Sequence, residues 1–281
     1  IRHALASLGP RLLTATILAI CALVAVHFGG LAFVAVVTAL TAIVTFEWIK
    51  LSSRRGSSAT LLVSLLTVAL SGAVFAIWDA SSALIAGAGG ALAVGLSAKL
   101  ERNNPLWIAA GVLVFIISMV SINWLRAEEL TGLATVYWLF VVVWATDSGA
   151  YLFGSSVGGA SLAPRISPGK TWAGAFGGLA TGTLSGIALT IILQAVGVLE
   201  NNLDLPIIAA ASAILSIFSQ IGDLAESSAK RYFDVKDSGA WLPGHGGALD
   251  RLDSLIFATP ILALAILLSG GSAQLLNWVV N

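Results

Sequence analysis

Apolar residues run along this chain in blocks, not in alternation. The stretch from Leu31 to Val44 carries no charge and shows no period-two pattern, so it reads as helix. A helix crossing about 30 Å of hydrocarbon needs roughly 20 mostly apolar residues. Nine runs answer to that ruler, at about 12–28, 31–49, 60–78, 82–98, 106–124, 132–150, 174–198, 206–228 and 252–269. Helices satisfy their own backbone hydrogen bonds in lipid, whereas a barrel needs the alternation that is absent. Turn chemistry separates the runs: Gly29-Gly30, Ser52-Ser53 with Gly56, Asn103-Asn104-Pro105 and Asn201-Asn202. The pattern predicts an all-α, polytopic integral membrane protein of about nine transmembrane helices. It divides into residues 1–130, with about five plain spans, and 131–281, with about four spans and most of the polar groups that need explaining. No internal repeat of fixed period is visible.

Composition agrees. Of 281 residues, 58% are hydrophobic and 10% charged, with a mean hydropathy of +0.96. These values exclude a soluble enzyme, a disordered chain and a nucleic-acid binder with a basic surface. Lys+Arg and Asp+Glu balance at 14 each, so net charge is silent and placement is informative. With nine spans, thirteen of the fourteen cations fall on one side, and Arg126 alone falls on the other. By the positive-inside rule, the N-terminus is expected in the cytoplasm and the C-terminus outside. Trp48, Trp78, Trp107, Trp124 and Trp278 lie near span ends, where they read equally well as interfacial anchors or as packing residues. A single cysteine, Cys21, excludes an intramolecular disulfide and a multi-cysteine metal site. The sequence opens on Ile1, so its natural start is expected to be missing. No cleavable signal pattern precedes the first run.

Carboxylates within or at the ends of spans are costly and raise functional hypotheses. Asp147 closes the sixth run, as a helix-end acid reaching water or as a site residue. Asp223 and Glu226 stand three apart near the end of the eighth run, and Asp250 and Asp253 stand three apart at the start of the ninth. Each pair shares a helix face, and a hairpin would bring the four acids towards one level. Oxygen ligands of this kind suit Mg²⁺ better than zinc. Glu47, beside Trp48, reads as a structural acid paired with Lys50 or another interfacial cation. Between residues 154 and 178, Gly, Ser, Lys170 and Thr171 suit phosphate binding, though the Walker A spacing is absent and a flexible connecting loop is the alternative. From Ser227 to Ser254 the chain packs four Asp, four Lys/Arg and His245 into 28 residues. Lys230, Arg231 and Lys236 can carry phosphate charge there.

That segment resembles the signature of the phosphatidate cytidylyltransferase family, the CDP-diacylglycerol synthases. Ser227, Lys230, Arg231, Lys236, Asp237, Gly239, Pro243 through Gly247, Asp250, Arg251, Asp253 and Ser254 all stand at its spacings. Asp147 through Tyr151, the run Leu162-Ala163-Pro164 to Thr171-Trp172, and Gly222 through Ser227 also resemble the family. Ala173 stands where the family commonly has Glu or Gln. Detailed resemblance covers roughly residues 140–260.

The resemblance implies an integral membrane enzyme that converts CTP and phosphatidic acid to CDP-diacylglycerol and pyrophosphate. It also implies Mg²⁺ dependence and a homodimer. The family's metal and catalytic positions fall on Asp223, Asp250 and Asp253, with Lys230, Lys236 and Asp237 nearby. The expected site thus has Asp223, Glu226, Asp250 and Asp253 as metal ligands for one or two Mg²⁺ ions, with a monovalent cation as a further candidate. Lys230, Lys236, Asp237 and Arg251 are the expected catalytic groups. Asp147, Ser167, Lys170, Thr171, Arg231, His245, Gly246 and Gly247 are expected to bind substrate. The expected location is the cell inner (plasma) membrane, with the site facing the cytoplasm and open laterally to lipid. A transporter would want its polar groups near the bilayer midplane, whereas these cluster at one face. A related CTP-dependent enzyme acting on a polyprenol is the nearer rival.

Overall fold

A computed structural model describes residues 16–17, 19–53, 57–127, 130–199, 204–239 and 246–268. Among these, a short apolar helix α1 (Ala19–Phe28) precedes α2 (Gly30–Ser52), α3 (Ser58–Ile77), α4 (Ala80–Leu100), α5 (Pro105–Arg126) and α6 (Leu130–Val157). Two short strands, β1 (Ser161–Ala163) and β2 (Ser167–Thr171), lead into α7 (Trp172–Ala195), α8 (Leu205–Tyr232) and α9 (Leu249–Leu268). The eight helices α2 to α9 are long and apolar enough to cross a membrane. The chain is therefore a multi-pass, predominantly helical membrane protein, as the apolar blocks predict. Of the first predicted run, Ala19–Phe28 is a described helix, and most of the remainder lies outside the described residues.

The helix ends follow local chemistry. Gly29 and Gly30 have φ of 61° and 53°, a left-handed geometry that lets the chain turn from α1 into α2. The Asp79 carboxylate caps α4 by accepting from Ser82 N at 2.8 Å. Hydrogen bonds from the Ser81 hydroxyl and Ser82 hold that carboxyl below the usual carboxylate range. Asn104 Oδ1 accepts from the Leu106 and Trp107 amides at the start of α5, where Pro105 has no N–H that needs an acceptor.

The chain forms two compact units. One comprises 1–123 with 232–252, the other 124–231 with 253–281. In the first, Glu101 accepts from the Ala59 and Thr60 amides at 3.0 and 3.2 Å, tying the end of α4 to the start of α3. Trp48 is 6% exposed and packs on Trp107, Phe115 and Phe233, so it is a packing residue; Trp78, at the end of α3, is 69% exposed.

In the second unit, α7 carries glycine at 174, 178, 182 and 186, one per turn on a single face. A Cβ on Gly174 would lie 2.7 Å from the Ala150 carbonyl oxygen, and one on Gly178 would lie 2.8 Å from that of Thr146. Both contacts are with α6 backbone, so only glycine lets the two helices approach this closely. The Trp138 indole donates to the Gly186 carbonyl at 3.1 Å, and Thr181 donates to that of Ala145 at 3.0 Å. This close packing fixes the end of α6 beside the start of α7.

The segment between these helices is a paired hairpin, not the flexible loop weighed as the alternative to phosphate binding. β1 and β2 pair antiparallel, Ser161 with Thr171 and Ala163 with Ser167. The turn closes through Ile166 N donating to Ala163 O at 3.1 Å. Thr171 then caps α7, its hydroxyl oxygen accepting from Gly174 N at 3.0 Å.

Candidate active site

One face of α8 is polar along its length. Ser212, Ser216 and Ser219 are fully buried, and Asp223, Glu226 and Lys230 continue the same three- and four-residue spacing. Thr146 on α6 donates to Ser216 at 2.9 Å, so the stripe faces protein. Gly222 lets α9 come close, because a Cβ there would lie 2.6 Å from the Asp253 carbonyl oxygen.

That approach assembles three acids. Asp223 and Glu226 of α8 and Asp253 of α9 each offer a carboxylate oxygen, all within 4.8 Å of one another. Three like charges so close repel strongly, and cations answer them. Lys170 on β2 lies 2.6 Å from Asp223 Oδ2, and Lys230 lies 2.7 Å from Glu226 Oε2. The donor set is all oxygen, anionic and clustered, which fits a hard divalent cation such as Mg²⁺.

Beside the acids lies a cavity of about 330 Å³, lined by Asp147, Tyr151, Lys170, Thr171, Gln220 and Asp223 among others. Asp147 accepts from the Ser254 hydroxyl at 3.3 Å. Gln220 donates to the Ala175 carbonyl at 3.3 Å, joining α8 to the first turn of α7. The cavity therefore has Asp147 and Asp223 in its lining, together with Thr171 and Gly174 at the capped start of α7. The helix start favours bound anions, through its unpaired amides and its dipole.

The remaining predicted residues divide as follows. Ser167 pairs with Ala163 in the hairpin, and Arg231 reaches back to donate to the Ile166 carbonyl at 3.2 Å, bracing the same hairpin. Lys236 and Asp237 are exposed beyond the end of α8, and Arg251 is exposed in the first turn of α9. His245 lies outside the described residues.

Asp250 is engaged locally. Its Oδ2 accepts from Ser238 N at 3.1 Å, Ser238 Oγ at 3.0 Å and Gly247 N at 2.9 Å. Gly246 has φ of 81°, the left-handed turn that brings the chain into this arrangement. Glu47 departs from its expected pairing. It is 1% exposed and accepts from Ala248 N, Leu249 N and Ser238 Oγ at 2.9, 2.8 and 3.1 Å. Lys50 lies instead over the Phe46 ring, 4.4 Å from its centroid.

Sequence reasoning also missed the Ser254–Asp147 bond and the α7 glycine face. The glycines were open to detection as a four-residue repeat. The bond was not, since it joins positions 107 apart.

Comparison with known proteins bears on what this arrangement does. The profile of the cytidylyltransferase family matches residues 9–269. A phosphatidate cytidylyltransferase of Brucella suis biovar 1 is 38% identical over 263 residues, 92% of this chain and 93% of that protein. The Brucella melitensis biotype 1 protein of the same name matches equally. One from Staphylococcus haemolyticus is 39% identical over 170 residues, covering 60% of this chain and 63% of its own.

Proposed function

We propose that this chain, which belongs to the cytidylyltransferase family, transfers the cytidylyl group of CTP to phosphatidic acid, giving CDP-diacylglycerol and pyrophosphate for phospholipid synthesis. The observation that carries the reading is the acid triad Asp223, Glu226 and Asp253 with Lys170 and Lys230 bonded to two of its members. The relatives named phosphatidate cytidylyltransferase support the choice of substrates.

The reaction joins two anions, so charge is its first obstacle. A phosphomonoester carries about −1.5 to −2 charges near neutral pH, and the nucleotide carries more. Lys170 and Lys230 supply countercharge next to the acids, and Arg231 and Lys236 add to it along the same segment. Asp223, Glu226 and Asp253 would hold Mg²⁺, with Asp250 as a further ligand from the first turn of α9. When bound, one or two such ions supply neutralisation of the triphosphate and of the departing pyrophosphate.

In the transfer, a phosphate oxygen of phosphatidate forms the new bond to the α-phosphorus of CTP. The bond from that phosphorus to the oxygen bridging to the β-phosphorus breaks, and pyrophosphate leaves with the electron pair. The nucleophile is already an oxyanion, so no side chain need remove a proton. The protein's task is placement: the capped start of α7 and Lys170 hold phosphate, and the cavity orients it. The family resemblance also assigns catalysis to Lys236, Asp237 and Arg251, and substrate binding to Gly246, Gly247 and His245.

We place the enzyme in the cell inner membrane, with its site towards the cytoplasm where CTP is found. The cation bias supports this orientation, and the family resemblance supports a homodimer. The test is product analysis in detergent with CTP labelled at its α-phosphate. Labelled CDP-diacylglycerol is expected with phosphatidic acid and Mg²⁺, and is lost when EDTA is added. Label appearing only on an added polyprenol or polyprenyl phosphate, with none on phosphatidate, would overturn the substrate assignment.

A further inference from the structure

α9 begins without a cap of its own. The Ala248 carbonyl accepts the first bonds of the helix, from Arg251 N at 3.1 Å and Leu252 N at 3.2 Å, which makes Ala248 the N-cap residue. Alanine has no side-chain acceptor and is among the poorest residues at that position. The first amides of a helix must still find partners, above all where the backbone is buried. Ala248 and Leu249 are 8% and 4% exposed.

The partner comes from α2, some two hundred positions away in sequence. Both oxygens of Glu47 are used: Oε1 accepts from Ala248 N, and Oε2 accepts from Leu249 N and Ser238 Oγ. The carboxylate thus sits at the positive end of the α9 dipole, where negative charge is favoured. Its neighbours are shaped around it. A Cβ on Gly239 would lie 2.5 Å from Glu47 Oε1, and one on Gly247 would lie 2.6 Å from Oε2. Two glycines of the signature segment are therefore glycines because a pinned carboxylate occupies the space of a side chain.

Ser238 extends the arrangement to Asp250. Its hydroxyl lies 3.1 Å from Glu47 and 3.0 Å from Asp250, while its amide donates to Asp250 as well. Gly247, Ala248 and Leu249 thus present three successive amides, the first to Asp250 and the next two to Glu47.

We propose that Glu47 is a positioning residue: it caps α9 from a distance and thereby fixes the first turn of that helix, including the Asp250 carboxylate. The catalytic consequence rests on the reaction proposed above, whereas the capping itself does not.

The experiment compares the full-length protein with Glu47→Gln, Glu47→Asp and, as a control, Lys50→Ala. Hydrogen–deuterium exchange is read by mass spectrometry on peptides spanning 246–252, in metal-free buffer and detergent. The glutamine amide keeps one acceptor but turns an NH₂ towards an N–H. Exchange at Ala248 and Leu249 should therefore quicken, with the interior of α9 still protected. Turnover with CTP and phosphatidate should fall roughly 10- to 100-fold, the range for residues that orient a ligand-bearing group. KM for CTP and the melting temperature should change little.

Glu47→Asp keeps the charge but reaches less far and should fall between the two. If Glu47→Gln does not fold, Glu47→Asp carries both measurements. Lys50→Ala should match wild type in all of them. Unaltered exchange in the Glu47 variants would overturn the proposal. So would a loss of activity that only tracks the fraction of folded protein. A wild-type protein that makes no CDP-diacylglycerol would instead overturn the reaction and leave the exchange result standing.

Discussion

Single residues decide how charge is held at the site. Asp223 has two tasks, as an acid of the triad and as the partner of Lys170. Asp223→Asn keeps the shape and removes the charge, so it should lower turnover by more than about 100-fold, beyond the effect typical of a merely supporting residue. Its melting temperature, read by a thermal-shift assay, should stay close to wild type. Loss of folding would show instead that the ion pair holds the helices together. Glycines give a second residue-scale test, with opposite signs at two positions. Gly247→Ala forces a methyl against the Ser238 hydroxyl and the Glu47 carboxylate. That crowding should destabilise the protein by about 1–3 kcal/mol and depress activity with it. Gly89, inside α4, has nothing within 4 Å of a built Cβ. Gly89→Ala should therefore raise the melting temperature, because alanine favours a helix interior by roughly 0.5–1 kcal/mol. The residue-scale chemistry was legible in part. Asp223, Glu226 and Asp253 announced themselves as acids in apolar surroundings, where an unneeded charge is expensive. Glu47 did not, because the feature that explains it is an alanine at position 248, and a missing cap points to no particular donor in the chain.

At the scale of elements, the helices were readable because lipid imposes a length. The run read at 31–49 is α2 at Gly30–Ser52, and that at 206–228 is α8 at Leu205–Tyr232. The misfit at the second comes from polar residues: α8 continues through Ser227 to Tyr232, where hydropathy alone stops. The hairpin was not readable. Its strands are three and five residues long, too short for a period to emerge, and they are held by backbone pairing and by Arg231 from α8. The packing of α6 on α7 is the element-scale feature on which the cavity depends. Gly178→Leu would drive a side chain at the Thr146 carbonyl and Ala150, parting α6, which carries Asp147, from α7, which Thr171 caps. The expected outcome is a lower melting temperature together with loss of activity. Gly197→Leu would be a poor control, because Gly197 has φ of 74°, whereas Gly169, with nothing within 4 Å of its built Cβ, should accept alanine with its stability intact.

For the whole molecule, the open question is which way the helices run through the bilayer. The cations supply an answer that the fold makes testable. Lys50 ends α2, Lys99 ends α4, Lys170 follows α6 and Lys230 ends α8, so basic residues recur at the far end of every second helix. Arg126, ending α5, is the exception. Under the positive-inside rule, by which basic residues near span ends stay in the cytoplasm, this bias supports the orientation proposed above. The ends of α4 make the sharpest comparison. Ser81, in its first turn, and Lys99, in its last, are both exposed and lie on opposite sides of one predicted crossing. In a Cys21→Ser background, Lys99→Cys should react with a membrane-impermeant maleimide only in inside-out vesicles. Ser81→Cys should react only in intact, right-side-out cells or spheroplasts. The opposite labelling would put Lys170, Lys230 and the acid triad on the side without CTP, and the proposed reaction would then lack its nucleotide. Labelling of both cysteines from one side would mean that α4 does not cross at all. The labelling result therefore bears on the chemistry as directly as on the topology, because a cytidylyl donor made in the cytosol can serve only a site that opens there.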